Sequence, residues 1–300
     1  MDWTADLDHF QSDGAKWRHA GSNILLDFHG DPVRAGLVVF SDGNHNMALK
    51  EAVAHFVAET PEVRHVFYTT TPPGPLLGLL KGTPLQIGNL LLSVKPHVFL
   101  APPDVLDRLV SEGEMSRHIP FVRNQGNVLL VRKGNPEKIS GIADLAENRR
   151  RLFISNPETE KASFGAYYKT LINLLPQPEA VDNIRFCRGS CIHHREAPEA
   201  VKAGRADAAI VFYHLALHYI RLFPDEFEII PLGGTPEHPD PAPGDVIGRT
   251  HAGLIGDGGS FGRRFLEFLC SPETAAIYQK HGLLPINGGD GSGHETAVDA

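Results

Sequence analysis

Twice in this chain an apolar run ends in a small polar turn that feeds straight into an amphipathic helix. No other feature restricts the fold as much. In the stretch 151–169, Leu152, Phe153 and Ile154 read as a buried strand and a polar loop follows. A helix then opens near Ser163 and carries Phe164, Tyr167, Leu171, Ile172 and Leu175 at helical spacing. Residues 36–56 repeat the pattern. A strand that enters a helix N-terminus through small polar residues leaves backbone N–H groups unpaired at its tip. Such a tip attracts a small anion without help from a charged side chain. Two tips facing each other across a cleft would form an oxyanion clamp.

The same alternation runs through most of the sequence. Apolar runs at 37–40, 66–68, 97–100, 127–131, 152–154, 184–186, 208–212, 227–230 and 252–255 predict strands. Helical spacing predicts helices at 49–57, 76–80, 142–145, 164–175, 215–223, 261–269 and 272–281. Asp104, after Pro102 and Pro103, reads as the cap of a helix ending at Gly113. Pro198 fits a helix only in its first turn, so the helix ending at Ala203 is expected to start near Ala197. Strands alternating with helices imply an α/β protein with parallel sheets, whose ligands sit beyond the carboxyl ends of strands. Residues 1–35 show no clean period and read as an extension packed on the outside. The Gly-rich segment 287–300 reads as a disordered tail.

Composition narrows the function. The chain has 300 residues and a formal net charge of -8, which argues against nucleic acid as a partner. No apolar run approaches the roughly 20 residues of a membrane span, so the protein is not expected to be membrane-embedded. The first ten residues are acidic and lack the apolar core of a secretory signal. The chain as written therefore reads as cytoplasmic, or as periplasmic if its start has been trimmed. Of the three cysteines, Cys187 and Cys191 stand close to His193 and His194. That grouping is a weak zinc signal without a second Cys pair, a short-loop disulfide in an exported protein, or a pair of reduced thiols. Glu158 and Glu160 lie near the proposed tip, but no nucleophile and base can be named. The chain reads as no enzyme and as needing no cofactor.

Five segments carry a family resemblance. ALKEAVAHF at 48–56 resembles the first helix of the substrate-binding proteins of ABC importers, most closely the molybdate-binding branch. HVFLAPPDVLDRL at 97–109 is similar to that family's DVFLSAD…MDRL stretch, and VRKGNP at 131–136 to its V-x-KGNP crossover motif. NPET at 156–159, with Gly165, Ala166, Tyr167 and Lys169, resembles DPE…AGxYAK, and AVKAGRADAAIV at 200–211 resembles VxxGEADAGIVY. The resemblance spans about 36–286. It implies a type II periplasmic-binding-protein fold: α/β, with two Rossmann-like lobes joined by a two-strand hinge. Lobe 1 would hold 36–121 and 249–286, lobe 2 would hold 122–248, and the hinge would lie at 126–131 and 249–252. A ligand would be closed between the lobes by hinge motion. The implied partners are a small oxyanion, molybdate or tungstate first, and an ABC permease if the chain is exported. The protein itself is expected to be a monomer.

On this reading Ser41, Asn44, Thr70, Thr71, Ser163 and Tyr213 are the expected ligand-binding residues. Ser41 and the threonines follow strands of the first lobe, and Ser163 sits at the helix tip of the second. Tyr213 stands one residue beyond Phe212, where the family often places a ligand-binding tyrosine. Selectivity against phosphate would come from the lack of any acceptor for a ligand proton. Four histidines support an alternative. His45, His193, His194 and His214, with Tyr213, suit a transition metal such as Fe, Zn or Ni. A third possibility is a ligand-sensing module inside the cell.

Overall fold

The computed structural model describes residues 27–286 apart from 72, 88–89, 159 and 191–192. The expected extension up to residue 26, the expected tail 287–300 and Cys191 lie outside the described residues. Cys187 is a free thiol that donates to the Arg205 carbonyl.

Two mixed sheets carry the architecture. The first has the order β1-β3-β2-β6-β13-β7-β14. Its strands are β1 (Phe28–His29), β2 (Leu37–Ser41), β3 (Val66–Thr69), β6 (Val98–Ala101), β7 (Met115–Arg123), β13 (Arg249–Ile255) and β14 (Leu284–Pro285). β2 runs parallel to β3 and β6, while β13 pairs antiparallel with β6 and β7. A small hairpin, β4 (Leu85–Ile87) with β5 (Leu90–Leu92), stands apart. The second sheet has the order β10-β9-β11-β8-β12. It comprises β8 (Asn127–Arg132), β9 (Arg151–Ile154), β10 (Arg185–Arg188), β11 (Ala208–Phe212) and β12 (Phe227–Pro231), with β9 central to the parallel trio β10, β9 and β11.

Helices cover both faces at the centre of each sheet, which is why β2, β6, β8 and β11 are nearly continuous apolar runs. In β2, Leu37 and Val39 pack with Leu49 and Phe56 of α1 (Asn46–Glu59), Phe265 of α8 (Gly259–Leu269) and Tyr278 of α9 (Pro272–Lys280). The alternate residues Val38 and Phe40 pack on the other face against Leu76 and Leu79 of α2 (Pro73–Leu80) and Leu106 of α3 (Pro103–Ser111). In β8, Leu129 and Val131 face α4 (Ile142–Glu147) and α5 (Lys161–Leu174), whereas Val128 and Leu130 face α6 (His193–Lys202) and α7 (Tyr213–Leu222). Each such buried side chain stabilises the fold by roughly 1.5–3 kcal/mol.

Some local expectations need correction. Pro102, not Asp104, is the N-cap of α3, with Pro103 opening the helix and Asp104 in its first turn. α6 starts at His193, four residues before the expected start, so Pro198 sits inside it. Proline cannot donate to the carbonyl of residue 194. The Tyr219 hydroxyl donates to that carbonyl instead and removes the main penalty of an interior proline. α5 opens at Lys161 with Glu160 as N-cap, which makes Ser163 its third residue and not its tip.

The chain crosses between sheets at 124–126 and again at 232–248, and the two crossings are tied together. The Asn124 amide donates to the Gly248 carbonyl at 2.9 Å. Asp245 accepts from the Asn127 backbone at 2.7 Å, and its other oxygen accepts from the Thr170 hydroxyl at 2.9 Å. Gly126 lies between them at φ +79°, where a Cβ would stand 2.1 Å from the Asp245 carboxylate. Gly126→Ala should therefore lose roughly 1–2 kcal/mol from the left-handed backbone alone and more from the clash. A urea melt should show a lower midpoint, and an unchanged midpoint would refute this account of the crossing.

Candidate functional site

The carboxyl ends of β2 and β3 meet those of β9, β10 and β11 across a cleft. Side-chain parity decides what faces it. Ser41 continues the Leu37–Val39 face and points toward the start of α1. Its hydroxyl lies 2.9 Å from His45 Nε2 and donates to the Asp42 carbonyl at 3.0 Å. His45 Nδ1 lies 2.9 Å from the Tyr278 hydroxyl. A single proton order satisfies this fully buried chain: Tyr278 O–H to His45 Nδ1, His45 Nε2–H to Ser41 Oγ, Ser41 O–H to the carbonyl. Asp42 forms a turn by accepting from the Asn44 amide at 3.1 Å. Gly43 lets that turn press on the Thr70 carbonyl, which a Cβ would approach to 2.9 Å.

The threonines anchor an element that sequence reasoning placed outside the site. The Thr70 hydroxyl donates to the Asp27 carboxylate at 3.0 Å, and the Thr71 hydroxyl accepts from the Asp27 amide at 2.9 Å. Asp27 in turn takes Arg195 Nη2 of α6 at 2.5 Å, an ion pair between the lobes. A second bridge runs from His214 Nε2, at the start of α7, to the Asn44 carbonyl at 2.6 Å. Met47 of α1 also packs against the core of the second sheet.

Among the described residues, the buried side-chain atoms without a protein partner include Ser155 Oγ, His193 Nε2 and His214 Nδ1. These three follow β9, β10 and β11 respectively, three adjacent strands. Aromatic rings fix the imidazoles. His193 stacks on Phe153 at 5.4 Å and touches Tyr167 at 5.0 Å, Tyr167 meets Phe212 at 5.0 Å, and Phe212 stacks on His214 at 5.9 Å. Both proton positions follow from acceptor-only partners. His214 Nε2 must donate to the Asn44 carbonyl, and His193 bonds the Phe153 backbone through its other nitrogen. Each unpartnered nitrogen is therefore a lone pair while the ring is neutral. The expectation that the site lacks an acceptor for a ligand proton is overturned.

Around these groups the N-termini of α1, α5 and α7 have no side-chain cap. Uncapped termini offer amide donors and positive dipole ends. Asp42 and Glu160 stand nearby, and burial pushes their carboxyl pKa values up to about 6 and about 7.

Of the expected residues, the structure brings Ser41, Asn44, Thr70 and Thr71 to one edge of the first sheet. Their groups are already engaged with Asp42, His45, His214 and Asp27. Ser163 is half-buried in the first turn of α5. Tyr213 turns elsewhere: a Cβ on Gly282 would meet its ring at 3.1 Å, and the ring joins the core formed with α6. The metal reading needs His45 and Tyr213 to converge with one of His193, His194 or His214. Both nitrogens of His45 are occupied, and among the described residues no group of three or more His, Cys, Asp or Glu side chains is placed to hold a metal ion. Sequence reasoning missed Asp27, Ser155, Arg195 and Tyr278. Ser155 carries the same signal as Ser41, a small polar residue ending an apolar run.

The buried histidines make the fold acid-sensitive. Burial holds His45 down to about 4 and His193, His194 and His214 down to about 3. Between those values and the unfolded value of about 6.5 the unfolded chain binds more protons, so these groups contribute stability above pH 6.5 that is lost as pH falls. Asp42 and Glu160, raised on folding, act in the opposite sense as pH climbs toward 6 and 7, but two groups oppose four. Urea midpoints should fall steadily from pH 6.5 to 4, and His193→Gln should flatten that slope. A midpoint that held or rose would contradict the assignment.

Comparison with known proteins bears on the fold and the family. The sequence profile of the bacterial extracellular solute-binding proteins matches residues 37–284. Comparison with curated protein sequences gives no match. Among solved structures, Peb3 from Campylobacter jejuni with bound L-phospholactate superposes with a TM-score of 0.60 at 17% identity, over 83% of this chain and 99% of that one. The periplasmic molybdate-binding protein of Azotobacter vinelandii gives 0.57 at 16% identity, over 83% and 98%. Iron-bound HitA of Pseudomonas aeruginosa gives 0.58 at 16%, over 88% and 89%. At such identities the likeness establishes the bilobal type II periplasmic-binding-protein fold. Among the described residues no helix is long and apolar enough to cross a membrane. The chain belongs to the bacterial extracellular solute-binding protein family.

Proposed function

We propose that this protein captures a small tetrahedral oxyanion, the class that includes molybdate and tungstate, between its lobes and delivers it to an ABC permease. One observation carries the reading. Three polar atoms, on Ser155, His193 and His214, are buried without protein partners beside three uncapped helix N-termini. Leaving a buried polar group unpaired costs roughly 1–3 kcal/mol. A ligand that supplies partners recovers that free energy, and the dipole ends favour one that is negative. Arg195, an arginine that bridges the lobes, is neutralised by its pair with Asp27. Closure follows if the ligand touches both lobes only when they meet.

The two imidazole lone pairs favour a second reading, a transition-metal ion held by His193 and His214 with a third ligand supplied on binding. Thermal denaturation with molybdate, tungstate, sulfate, phosphate, Fe(III), Zn(II) and Ni(II) separates the two, since only a ligand of the folded state raises the midpoint. The expected outcome is a rise with oxyanions. A rise with cations alone would replace the first reading by the second. Ser155→Ala should leave the free protein as stable or slightly more stable while shrinking the oxyanion-induced rise. A full rise in that variant would remove Ser155 from the site.

A further inference from the structure

We infer that the ligand brings its own proton: within the oxyanion class the site takes hydrogen phosphate, or an oxyanion of like protonation, in preference to sulfate, molybdate or tungstate. This rests on the oxyanion reading above and narrows it.

The argument is one of donors and acceptors. Hydrogen phosphate and sulfate have similar shape and, as dianions, the same charge, but only phosphate has an O–H to donate. The amides at the uncapped helix termini satisfy the bare oxygens of either ion. His193 Nε2 and His214 Nδ1 do the reverse, because each ring spends its one proton on a backbone carbonyl, of Phe153 and of Asn44. A fully deprotonated oxyanion placed against these nitrogens sets acceptor against acceptor. Turning either ring into a donor requires one of two changes. Shifting the proton to the other nitrogen breaks the bond to the carbonyl. Adding a proton puts a positive charge on a ring that is only 1% or 2% exposed; the nearest carboxylate, Glu160, bonds the backbone amide of His193 and not its ring. Burial opposes the charged form, and both rings titrate near 3. The stacking on Phe153 and Phe212 holds the rings in place, so rotation does not resolve the conflict. An O–H on the ligand does.

Sites built to hydrogen-bond a ligand O–H reject analogues that lack it by large factors. Calorimetric titration of the full chain at pH 7.5 should give phosphate and arsenate affinities at least about 100-fold above those for sulfate, selenate and molybdate. His193→Phe keeps the stacking area and removes the lone pair, and His214→Phe does the same at the second position. At least one of the two should cut the phosphate-to-sulfate ratio about tenfold or more, with circular dichroism confirming the fold. His118→Phe, whose ring bonds Asp107 and His251 and none of the groups argued from here, should leave the ratio unchanged. Sulfate or molybdate binding as tightly as phosphate would overturn the inference while leaving the oxyanion reading intact. A wild-type preference for phosphate that survives in both folded variants would overturn the assignment of the acceptor. Failure of every oxyanion to bind would remove the underlying reading, and this inference with it.

Discussion

Polar atoms stranded at the edge of a sheet are the constraint on which this structure turns. Strands β9 and β11 are buried on both faces and β10 is the half-exposed edge strand beside β9; all three run parallel, so their carboxyl ends lie along one edge. Ser155, His193 and His214 stand there with an unpartnered atom each. Burial without a partner is costly enough that such groups are rarely left so unless something else completes them. The opposing edge is different. Ser41, His45 and Tyr278 close on one another, and Thr70 and Thr71 are taken up by Asp27. The side chains named at the first edge are saturated and those at the second are short of partners, which assigns most of the side-chain recognition to the second lobe.

The rest of the fold serves that asymmetry. Alternate residues of each strand feed two cores, so the strand tips cannot slide without exposing a whole face. The crossings are held by Asn124, Asn127 and Asp245 around a glycine that no other residue replaces without strain. Interlobe bonds from Arg195 to Asp27 and from His214 to Asn44 bring the two edges together. His214 belongs to both systems: one nitrogen bridges the lobes, and the other is buried without a protein partner. Closure of the lobes and the direction of its lone pair are thus set by the same hydrogen bond.

Much of this was legible in the sequence, for a physical reason. Strands buried on both faces appear as unbroken apolar runs, and the runs at 37–40 and 208–212 locate β2 and β11 well. β7 was not legible, because its first half is polar and exposed and it is a strand only through pairing with β13 and β14. The start of α6 was misread because Pro198 argues locally against a helix, while the Tyr219 hydroxyl that compensates comes from a distant part of the chain. Ser41, Asn44, Thr70 and Thr71 were placed at the correct edge by the strand-to-helix pattern. What they bond to was hidden, since Asp27, Arg195 and Tyr278 reach them only in the folded chain. Histidine density was visible, but the proton positions that make two of these rings acceptors depend on tertiary contacts.

The central claim, that His193 and His214 present neutral lone pairs to a ligand, can be read directly from the imidazole nitrogens. In a protein labelled with nitrogen-15 at histidine, His193 Nε2 and His214 Nδ1 should resonate as unprotonated, unbonded ring nitrogens before ligand is added. Addition of phosphate should move at least one of them toward the hydrogen-bonded position, with both rings remaining neutral and His118 and His251 undisturbed. Nitrogens that begin protonated, or that stay fixed while ligand binds, would contradict the account.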